Sequence, residues 1–298
     1  MKLFNRIISY LLLLTLVFLI PSSYLQAETV TPEVSAYAYV IIDANSGDLL
    51  YQENEDVKIY PASTVKIMTA IIALEQCSTS KKIKIKKSVL SQIPEDVYQL
   101  NLVPGDSYSL YNLLHMLLLN SAADAADSIA VGVAGSKKAF IKKMNKKAKE
   151  LGMSHTSFDN TIGLDIGNGY KKTYTTAKDM AILTRYAMEN TTFRRIVKKA
   201  KYIVPKTKRS KKIKLENTNQ FLQDLEYNTN LYKVIGTKTG TTDAAGKVLI
   251  STAKDTSGHE VICAFFGNQT RKKMYRDIQS LYEYVFSQSV TGSLVLSK

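Results

Sequence analysis

The sequence has no tryptophan, and its 298 residues include only two cysteines and three histidines. One bridge between Cys77 and Cys263 is the most that two cysteines allow, so a disulfide framework is excluded. Cys263 lies in an apolar strand-like run, where a small buried thiol is the commoner outcome, and we predict that both thiols stay free. The histidines are far apart in the chain and have no cysteine neighbours, so we expect no metal site and no other cofactor.

Apolar runs long enough to cross a bilayer are also missing. The longest apolar stretch, residues 7–20, is shorter than the ~20 residues that a spanning helix needs. It follows a short basic head that contains Lys2 and Arg6, and it precedes small residues that end at Ala27. This pattern is typical of a secretory signal peptide over residues 1–27, with an uncleaved N-terminal anchor as the alternative. We therefore predict an exported protein.

Acidic residues are also few compared with basic residues. The chain has 40 Lys and Arg against 26 Asp and Glu, which gives a formal net charge of +14 at pH 7. A basic exported protein meets anionic wall polymers or lipid head groups before it meets nucleic acid, so we expect the former as partners and no nucleic acid. The basic residues cluster in residues 81–87 and 206–214. Both segments alternate as strands do, and solvated strand faces explain them adequately.

Strand-like segments lie at both ends of the chain, and helical segments fill its middle. Alternating apolar residues with turn signals predict the strands, whereas apolar spacing with capping residues predicts the helices. The predicted strands are a hairpin over residues 36–53 and two late strands, 237–252 broken at Gly246 and 260–266. The predicted helices run from Leu110 to Leu119, from Ala122 to Val133, from Ser136 to Leu151, from a capping box at Thr176 and Asp179 to Met188, and from Met274 to Val285.

This arrangement predicts the fold class. If the terminal strands pair with each other, the chain forms an α+β domain with an antiparallel sheet flanked by helices and an inserted all-helical lobe. We expect that domain over residues 28–290, with the helical lobe at roughly residues 80–170 and a short tail at 291–298. A cleft between the two lobes is the natural place for a substrate.

Residues 60–74 predict a helix buried in the middle of the domain. Pro61 suits a first helical turn, and the residues behind it are apolar on nearly every side. Ser63 and Lys66 are three residues apart, so they share one face of that helix. A lysine in apolar surroundings has a lowered pKa, and its neutral amine could take the proton of the serine hydroxyl. The alternative is a capping serine followed by a lysine whose amine extends to water.

Two further polar stretches could belong to the same cleft. Ser121 lies between two apolar helices, and a serine in such a bend can point into a groove. Lys238, Thr239 and Gly240 lie on a late strand, whose glycine would let another backbone approach closely. Taken alone, the first stretch reads as a helix cap and the second as an ordinary edge strand.

Together the three stretches resemble a known signature. S-x-x-K at Ser63, a serine between helices at Ser121 and K-T-G at Lys238 occur in the order found in serine acyl-transferases that act on D-Ala-D-Ala peptides and on penicillin. Over about residues 35–287, the chain resembles the low-molecular-mass penicillin-binding proteins, the serine-type D-alanyl-D-alanine carboxypeptidases. Other stretches that resemble this family are residues 105–106, 124–126, 156–160, 163–165, 175–180 and 217–219.

The resemblance implies a serine peptidase with a β-lactamase/transpeptidase-like fold. Ser63 would attack the carbonyl between the two terminal D-alanines of a peptidoglycan stem peptide and form an acyl-enzyme. Lys66, helped by the second cation Lys238, would accept the proton of Ser63. Ser121 would pass a proton to the departing amine. The implied partners are stem peptides and β-lactams.

The resemblance also implies how the substrate would be held. Lys238 and Thr239 would receive the substrate carboxylate, and Gly240 would let the peptide lie beside the strand. The backbone N–H groups of Ser63 and Thr241 would bind the oxyanion, as paired donors do in acyl transfer.

The sequence departs from the family pattern at one motif. The family has S-x-N where this chain has Ser121-Ala122-Ala123, so the amide that would bond the substrate backbone is missing. Asn120 is adjacent, but on a helix it would point elsewhere. We also expect neither the C-terminal β domain nor the amphipathic anchoring helix of many relatives.

Two alternatives to the carboxypeptidase stay open, and the first of them follows from this departure. The first is a degenerate, non-catalytic binder of wall peptide or penicillin. The second is a β-lactamase of the same fold, although the chain lacks the S-D-N form and any evident E-x-x-x-N acid loop for deacylation.

Overall fold

The computed structural model describes residues 31–165 and 173–291 of the chain. The predicted signal peptide, its cleavage site after Ala27 and nearly all of the predicted tail lie outside these residues. Within the described part, no helix combines the length and the apolar character that crossing a bilayer requires.

A five-stranded antiparallel sheet forms the centre of the described part of the chain. Its strands are β1 (Ala38–Asp43), β2 (Leu49–Glu53), β7 (Tyr232–Thr242), β8 (Gly246–Asp255) and β9 (Glu260–Asn268). They follow the order β2-β1-β9-β8-β7. The first strand lies beside the last, with Ala38 opposite Phe266, which confirms the predicted pairing of the terminal strands. The predicted break at Gly246 is where β8 begins.

Helices and two small sheets complete the fold. The helices are α1 (Lys66–Gln76), α2 (Lys87–Leu90), α3 (Leu110–Leu119), α4 (Ala123–Ala134), α5 (Lys137–Glu150), α6 (Ala177–Glu189), α7 (Thr191–Val197) and α8 (Arg271–Thr291). One small sheet pairs β3 (Lys82–Lys84) with β4 (Ser107–Ser109), and the other pairs β5 (Lys201–Val204) with β6 (Ile213–Glu216). The predicted helices are found, and α2 and α7 were not predicted. The α+β class is confirmed.

The predicted cap of α6 forms only in part. Thr176 accepts a hydrogen bond from the backbone N–H of Asp179, as a capping box requires. Among the described residues, the carboxylate of Asp179 does not accept the hydrogen bond from the backbone N–H of Thr176 that would complete the box. It accepts instead from the backbone N–H of His155 at 3.0 Å and from the Thr156 hydroxyl at 2.7 Å. Asp179 therefore ties α6 to the loop that follows α5.

The central sheet is buried on both faces. On β1, Val40 and Ile42 join the core that contains α1, α3, α4 and α6, whereas Tyr39 and Ile41 join the core under α8. This alternation follows from the two-residue period of a strand. Burial on both faces also explains why these strands read as nearly continuous apolar runs.

The cysteines behave as the sequence predicted. Both thiols are free, with Cys263 fully buried on β9 and Cys77 half-buried at the end of α1. Burial raises the pKa of the Cys263 thiol, which keeps it protonated and unreactive.

The cover that α8 provides can be tested at Leu281, which is fully buried against the sheet. We expect Leu281→Ala to lower the free energy of unfolding by about 2–5 kcal/mol, because the truncation leaves a cavity. Urea unfolding measures this loss. The control is Glu283→Ala at an exposed position of the same helix, which should change stability by no more than about 0.5 kcal/mol. Equal effects of the two variants would contradict the packing of α8.

Candidate functional site

Ser63 and Lys66 meet at the start of the buried helix. A short 3-10 turn, Ala62–Val65, precedes α1, so Ser63 lies in this turn and not in the first turn of an α-helix as predicted. In a 3-10 turn, residues three apart lie nearly above one another. The amine Nζ of Lys66 donates to Ser63 Oγ at 3.0 Å and to the Ile162 carbonyl at 2.5 Å. The predicted pair is therefore in direct contact.

The amine of Lys66 is shielded from water, since only 2% of the residue is exposed. Burial lowers the pKa of Lys66 to about 7, and the negative charge of Asp127 on α4 opposes this shift. Asp127 is itself bonded to Lys137 at 3.1 Å and to the Thr161 hydroxyl at 2.5 Å. A large share of Lys66 is thus neutral near pH 7, and a neutral amine beside a hydroxyl can act as its base.

Two glycines let other backbone segments approach Ser63. At Gly163, with φ +90°, an added Cβ would lie 2.0 Å from the Ala62 carbonyl oxygen. At Gly240 on β7, an added Cβ would lie 3.2 Å from the backbone nitrogen of Ser63. The turn that carries Ser63 is therefore held between the loop around Gly163 and the strand β7. No side chain could be added at Gly163 without moving that turn.

Lys238 lies beneath the site and does not line it. The residue is 1% exposed, and its Nζ donates to the Thr239 carbonyl at 2.8 Å. Burial and the neighbouring charges of Lys66 and Arg271 hold the pKa of Lys238 well below its usual value. The repulsion between the two lysines is reciprocal, so it disfavours having both amines charged at once. Desolvation lowers the pKa of Lys66, and Lys66 in turn lowers that of Lys238.

A groove of about 750 Å³ opens above Ser63. Of the predicted site residues, the structure brings six to its walls: Ser63, Lys66, Ser121, Thr239, Gly240 and Thr241. The hydroxyl of Thr239 lies 2.5 Å from that of Thr218, which orients both on one wall. The predicted cleft is present, and it combines residues from α1, from the link between α3 and α4, and from β7.

The bend between α3 and α4 places Asn120 differently from the prediction. α3 ends at Leu119, and Ser121 adopts a positive φ of 63°, so Asn120 does not continue a helix. Its side chain lines the groove, where Nδ2 lies 3.5 Å from the Tyr98 hydroxyl and Oδ1 is buried without a partner among the described residues. The expectation that Asn120 points elsewhere was wrong. Ala123, at the family's asparagine position, also lines the groove.

The structure adds site residues to which the sequence gave no role. Asp165 lines the groove, accepts a hydrogen bond from the Thr242 hydroxyl and keeps Oδ1 buried without a partner in the described part of the chain. Burial raises the pKa of Asp165. Arg271, the first residue of α8, supplies a cation to the groove wall. Asp165 lies in a stretch that resembles the family, but nothing in the sequence pointed to Arg271.

Comparisons with known proteins agree with this geometry. A model of the D-alanyl-D-alanine carboxypeptidase family, peptidase S11, matches residues 25–270. The carboxypeptidase DacF of Bacillus subtilis is 30% identical over 87% of this chain and 64% of its own length. The carboxypeptidase DacB2 of Mycobacterium tuberculosis is 30% identical over 88% of this chain and 87% of its own. The chain thus spans slightly less than two thirds of DacF and most of DacB2.

Solved structures show the same fold. The Streptomyces K15 DD-transpeptidase superposes with a TM-score of 0.78 at 30% identity, covering 87% of this chain and 99% of that protein. Penicillin-binding protein D2 of Listeria monocytogenes, solved in a cefotaxime-bound form, superposes with a TM-score of 0.73 at 29% identity, covering 86% of this chain and 98% of that protein. The predicted β-lactamase/transpeptidase-like architecture agrees with these similarities.

The close approach at Gly163 can be tested against a matched glycine. Gly135 also has a positive φ, 81°, but nothing lies within 4 Å of the position of an added Cβ. We expect Gly135→Ala to cost about 1–2 kcal/mol through backbone strain alone. Gly163→Ala should cost clearly more, because the methyl group collides with the turn that carries Ser63. Thermal unfolding measures both, and equal losses would contradict the tight packing at Gly163.

Proposed function

The chain belongs to the D-alanyl-D-alanine carboxypeptidase family, and from that premise we propose that it removes the terminal D-alanine of peptidoglycan stem peptides. The observation that carries the proposal is the 3.0 Å contact between Lys66 Nζ and Ser63 Oγ in a water-poor setting that lowers the pKa of Lys66 to about 7. A serine hydroxyl is a weak nucleophile until an adjacent base accepts its proton. Lys66 meets that requirement at neutral pH.

The proposed reaction has two acyl-transfer steps. In the first, the Ser63 hydroxyl proton moves to neutral Lys66 Nζ while Ser63 Oγ bonds to the carbonyl carbon of the penultimate D-alanine. The C–N bond then breaks as Lys66 Nζ passes its proton through the Ser121 hydroxyl to the leaving nitrogen, so D-alanine departs and Lys66 is neutral again. In the second step, Lys66 accepts a proton from the water that attacks the ester and passes it to Ser63 Oγ as the ester C–O bond breaks, so Ser63 regains its hydroxyl and the shortened peptide leaves.

The oxyanion of each step is assigned to the backbone N–H groups of Ser63 and Thr241. Two converging N–H donors stabilise a tetrahedral intermediate because they point at the oxygen that gains charge. The close approach of Gly240 to the Ser63 nitrogen supports this assignment, since it brings the two backbone segments side by side.

The substrate carboxylate is assigned to the wall formed by Thr239 and Arg271. The sequence prediction gave this role to Lys238 and Thr239, and Thr239 keeps it. Lys238 is buried with a lowered pKa, so it acts on the wall through its bond to the Thr239 carbonyl. The guanidinium of Arg271 can bind a carboxylate with two parallel hydrogen bonds.

Asn120 offers the amide that the family motif lacks in this chain. The residue lines the groove, and its Oδ1 is buried without a partner among the described residues, so a rotation of the side-chain amide that exposes Oδ1 would let it accept a hydrogen bond from the backbone N–H of a bound peptide. We propose that Asn120 takes this role and that Ala123 leaves space above it. A non-catalytic binder of wall peptide is the second candidate, because Ala123 cannot orient Lys66 or substrate.

We place the activity on the cell-wall side of the membrane. Peptidoglycan, the substrate of the family's reaction, lies there, and the N-terminal sequence has the pattern of a secretory signal peptide. β-Lactams are proposed ligands because the Listeria neighbour was solved in a cefotaxime-bound form.

Acylation at Ser63 is the direct test of the proposed function. After incubation with benzylpenicillin, we expect mass spectrometry to locate the added mass on Ser63, and we expect D-alanine release from a peptide that ends in D-Ala-D-Ala. Ser63→Ala should lose both, whereas Ser91→Ala, at an exposed site, should retain both. Folded protein that binds the peptide without acylation or release would support the non-catalytic candidate.

The pH profile tests Lys66 as the base. A base must be deprotonated, so the acylation rate should fall about tenfold for each pH unit below the Lys66 pKa of about 7 and level off above it. Asp127→Asn removes a negative charge that raises this pKa, so the inflection should move to lower pH. Glu150→Gln, at an exposed position on α5, should leave the inflection in place. An inflection unmoved by Asp127→Asn would contradict the role of Lys66.

The amide assignment is tested by two reciprocal variants. Asn120→Ala should lower kcat/KM for D-alanine release by about tenfold, the value of a hydrogen bond worth roughly 1.4 kcal/mol. Ala123→Asn restores the family residue and should recover activity in the Asn120→Ala background. If Asn120→Ala has no effect, Asn120 does not bind the substrate.

A further inference from the structure

The two basic segments of the sequence lie side by side in the fold. β3 pairs with β4, and just beyond this pair the backbone N–H of Ile85 donates to the Asp106 carbonyl at 2.8 Å. The second segment is the loop of the β5–β6 hairpin. There the Ser210 hydroxyl donates to the Asp106 carboxylate at 2.5 Å, and the Arg209 guanidinium lies beside Gly105. Segments more than a hundred residues apart are thus joined through one loop.

The joined segments form a surface of one charge sign, which we call the basic surface. Each of its basic side chains is exposed, and none of them forms an ion pair within the described part of the chain. Neither segment contains an acidic residue. The residues of the basic surface are Lys81, Lys82, Lys84, Lys86, Lys87, Lys206, Lys208, Arg209, Lys211, Lys212 and Lys214.

A small cavity opens within the basic surface, between β3 and α4. Its volume is about 220 Å³, and Lys82, Lys84 and Lys86 lie around it. Ser128 of α4 also lines it. Ser128 is 3% exposed, and its hydroxyl has no hydrogen-bond partner among the described residues. A buried hydroxyl without a partner is unfavourable, and a rotation of the Ser128 side chain toward the cavity would let the hydroxyl donate to an anion oxygen there.

We propose that the basic surface binds a linear phosphodiester polymer of the cell wall, with one phosphate group in the cavity beside Ser128. A polymer with regularly spaced negative charges can follow both basic segments and release its counterions as each lysine is neutralised. The hydroxyl of Ser128 adds a hydrogen bond to one of those phosphates. The inference goes beyond the proposed function and rests on the export proposed above.

The surface fits a flexible polymer better than a lipid bilayer. Peripheral membrane binding generally combines basic residues with apolar side chains that enter the acyl region. Of the large apolar side chains exposed in the described part of the chain, Ile203 alone lies on the β5–β6 hairpin. A recessed cavity is also reached more easily by a phosphate on a flexible chain than by head groups held in a plane.

Polymer binding at the basic surface would affect the groove, because segments of the two regions are joined by loops. Thr218, which lines the groove, follows β6 by two residues. Tyr98, which also lines the groove, lies in the loop between α2 and β4. A polymer bound to the basic surface would therefore hold the groove close to the wall and raise the local concentration of stem peptides.

The test uses the full chain and a poly(glycerol phosphate) oligomer, with affinity measured at several salt concentrations. The variant replaces Lys82, Lys84 and Lys86 by glutamine. We expect its binding to weaken by about tenfold or more at low salt, and the slope of log Kd against log salt to fall by about three. The matched control replaces Lys138, Lys142 and Lys149 of α5 by glutamine, removing the same charge, and should retain the slope.

A second variant distinguishes the contribution of the Ser128 hydroxyl to polymer binding from that of the lysine charges. Ser128→Ala should weaken binding several-fold without changing the salt slope, because the hydroxyl carries no charge. An unchanged affinity in both the lysine variant and Ser128→Ala would overturn the proposal. Tighter binding to phosphatidylglycerol vesicles than to the oligomer, at equal phosphate concentration, would also overturn it in favour of a membrane surface.

Penicillin acylation of the same samples keeps the two proposals distinguishable. All these variants should acylate at the rate of the unmodified protein, since none of the changed residues lies in the groove. Polymer binding without acylation would defeat only the proposed reaction. Acylation without polymer binding would defeat only the proposed surface.

Discussion

The burial of one amine, Lys66 Nζ, is the constraint on which the site depends. α1 is enclosed between the central sheet and the helices of the inserted lobe, so its single lysine is only 2% exposed. Desolvation disfavours the ammonium form, while the Ile162 carbonyl and the charge of Asp127 keep the amine in place. The fold thus converts an ordinary lysine into a base for Ser63. The same enclosure lowers the pKa of Lys238, whose cation therefore does not carry the substrate contact alone.

Close backbone packing holds the other side of the site. The turn that carries Ser63 is confined by Gly163 on one side and by Gly240 on the other. Neither position tolerates a side chain without displacing the turn, so the geometry of Ser63 is set by three chain segments that are distant in sequence. Preorganisation of this kind matters for acyl transfer, because oxyanion donors stabilise charge most when they need not move.

The groove and the basic surface suit the two kinds of recognition that we propose, one specific and one general. The groove presents single polar groups, such as the Asn120 amide and Arg271, that suit one end of a peptide. The basic surface presents exposed charge of one sign over two short sheets, which suits a polymer. The two regions are linked by short loops rather than by a shared pocket. A protein bound to a wall polymer through the basic surface would stay close to the stem peptides that we propose as its substrate.

How much the sequence could predict depended on how local each feature is. Ser63 and Lys66 lie three residues apart, so spacing alone placed them on one face. The apolar runs of β1 and β9, with helical segments between them in the sequence, sufficed for the α+β class. Asn120 was misjudged because the positive φ of Ser121 ends the helix there, and no spacing rule indicates that. Arg271 and the joining of the two basic segments were invisible, since each depends on which distant segments pack together. The sequence by itself determined the pairing of Ser63 with Lys66 and the fold class, because these follow from short-range periodicity and burial. Only the tertiary structure decided which charges face the groove, because long-range packing sets both position and pKa.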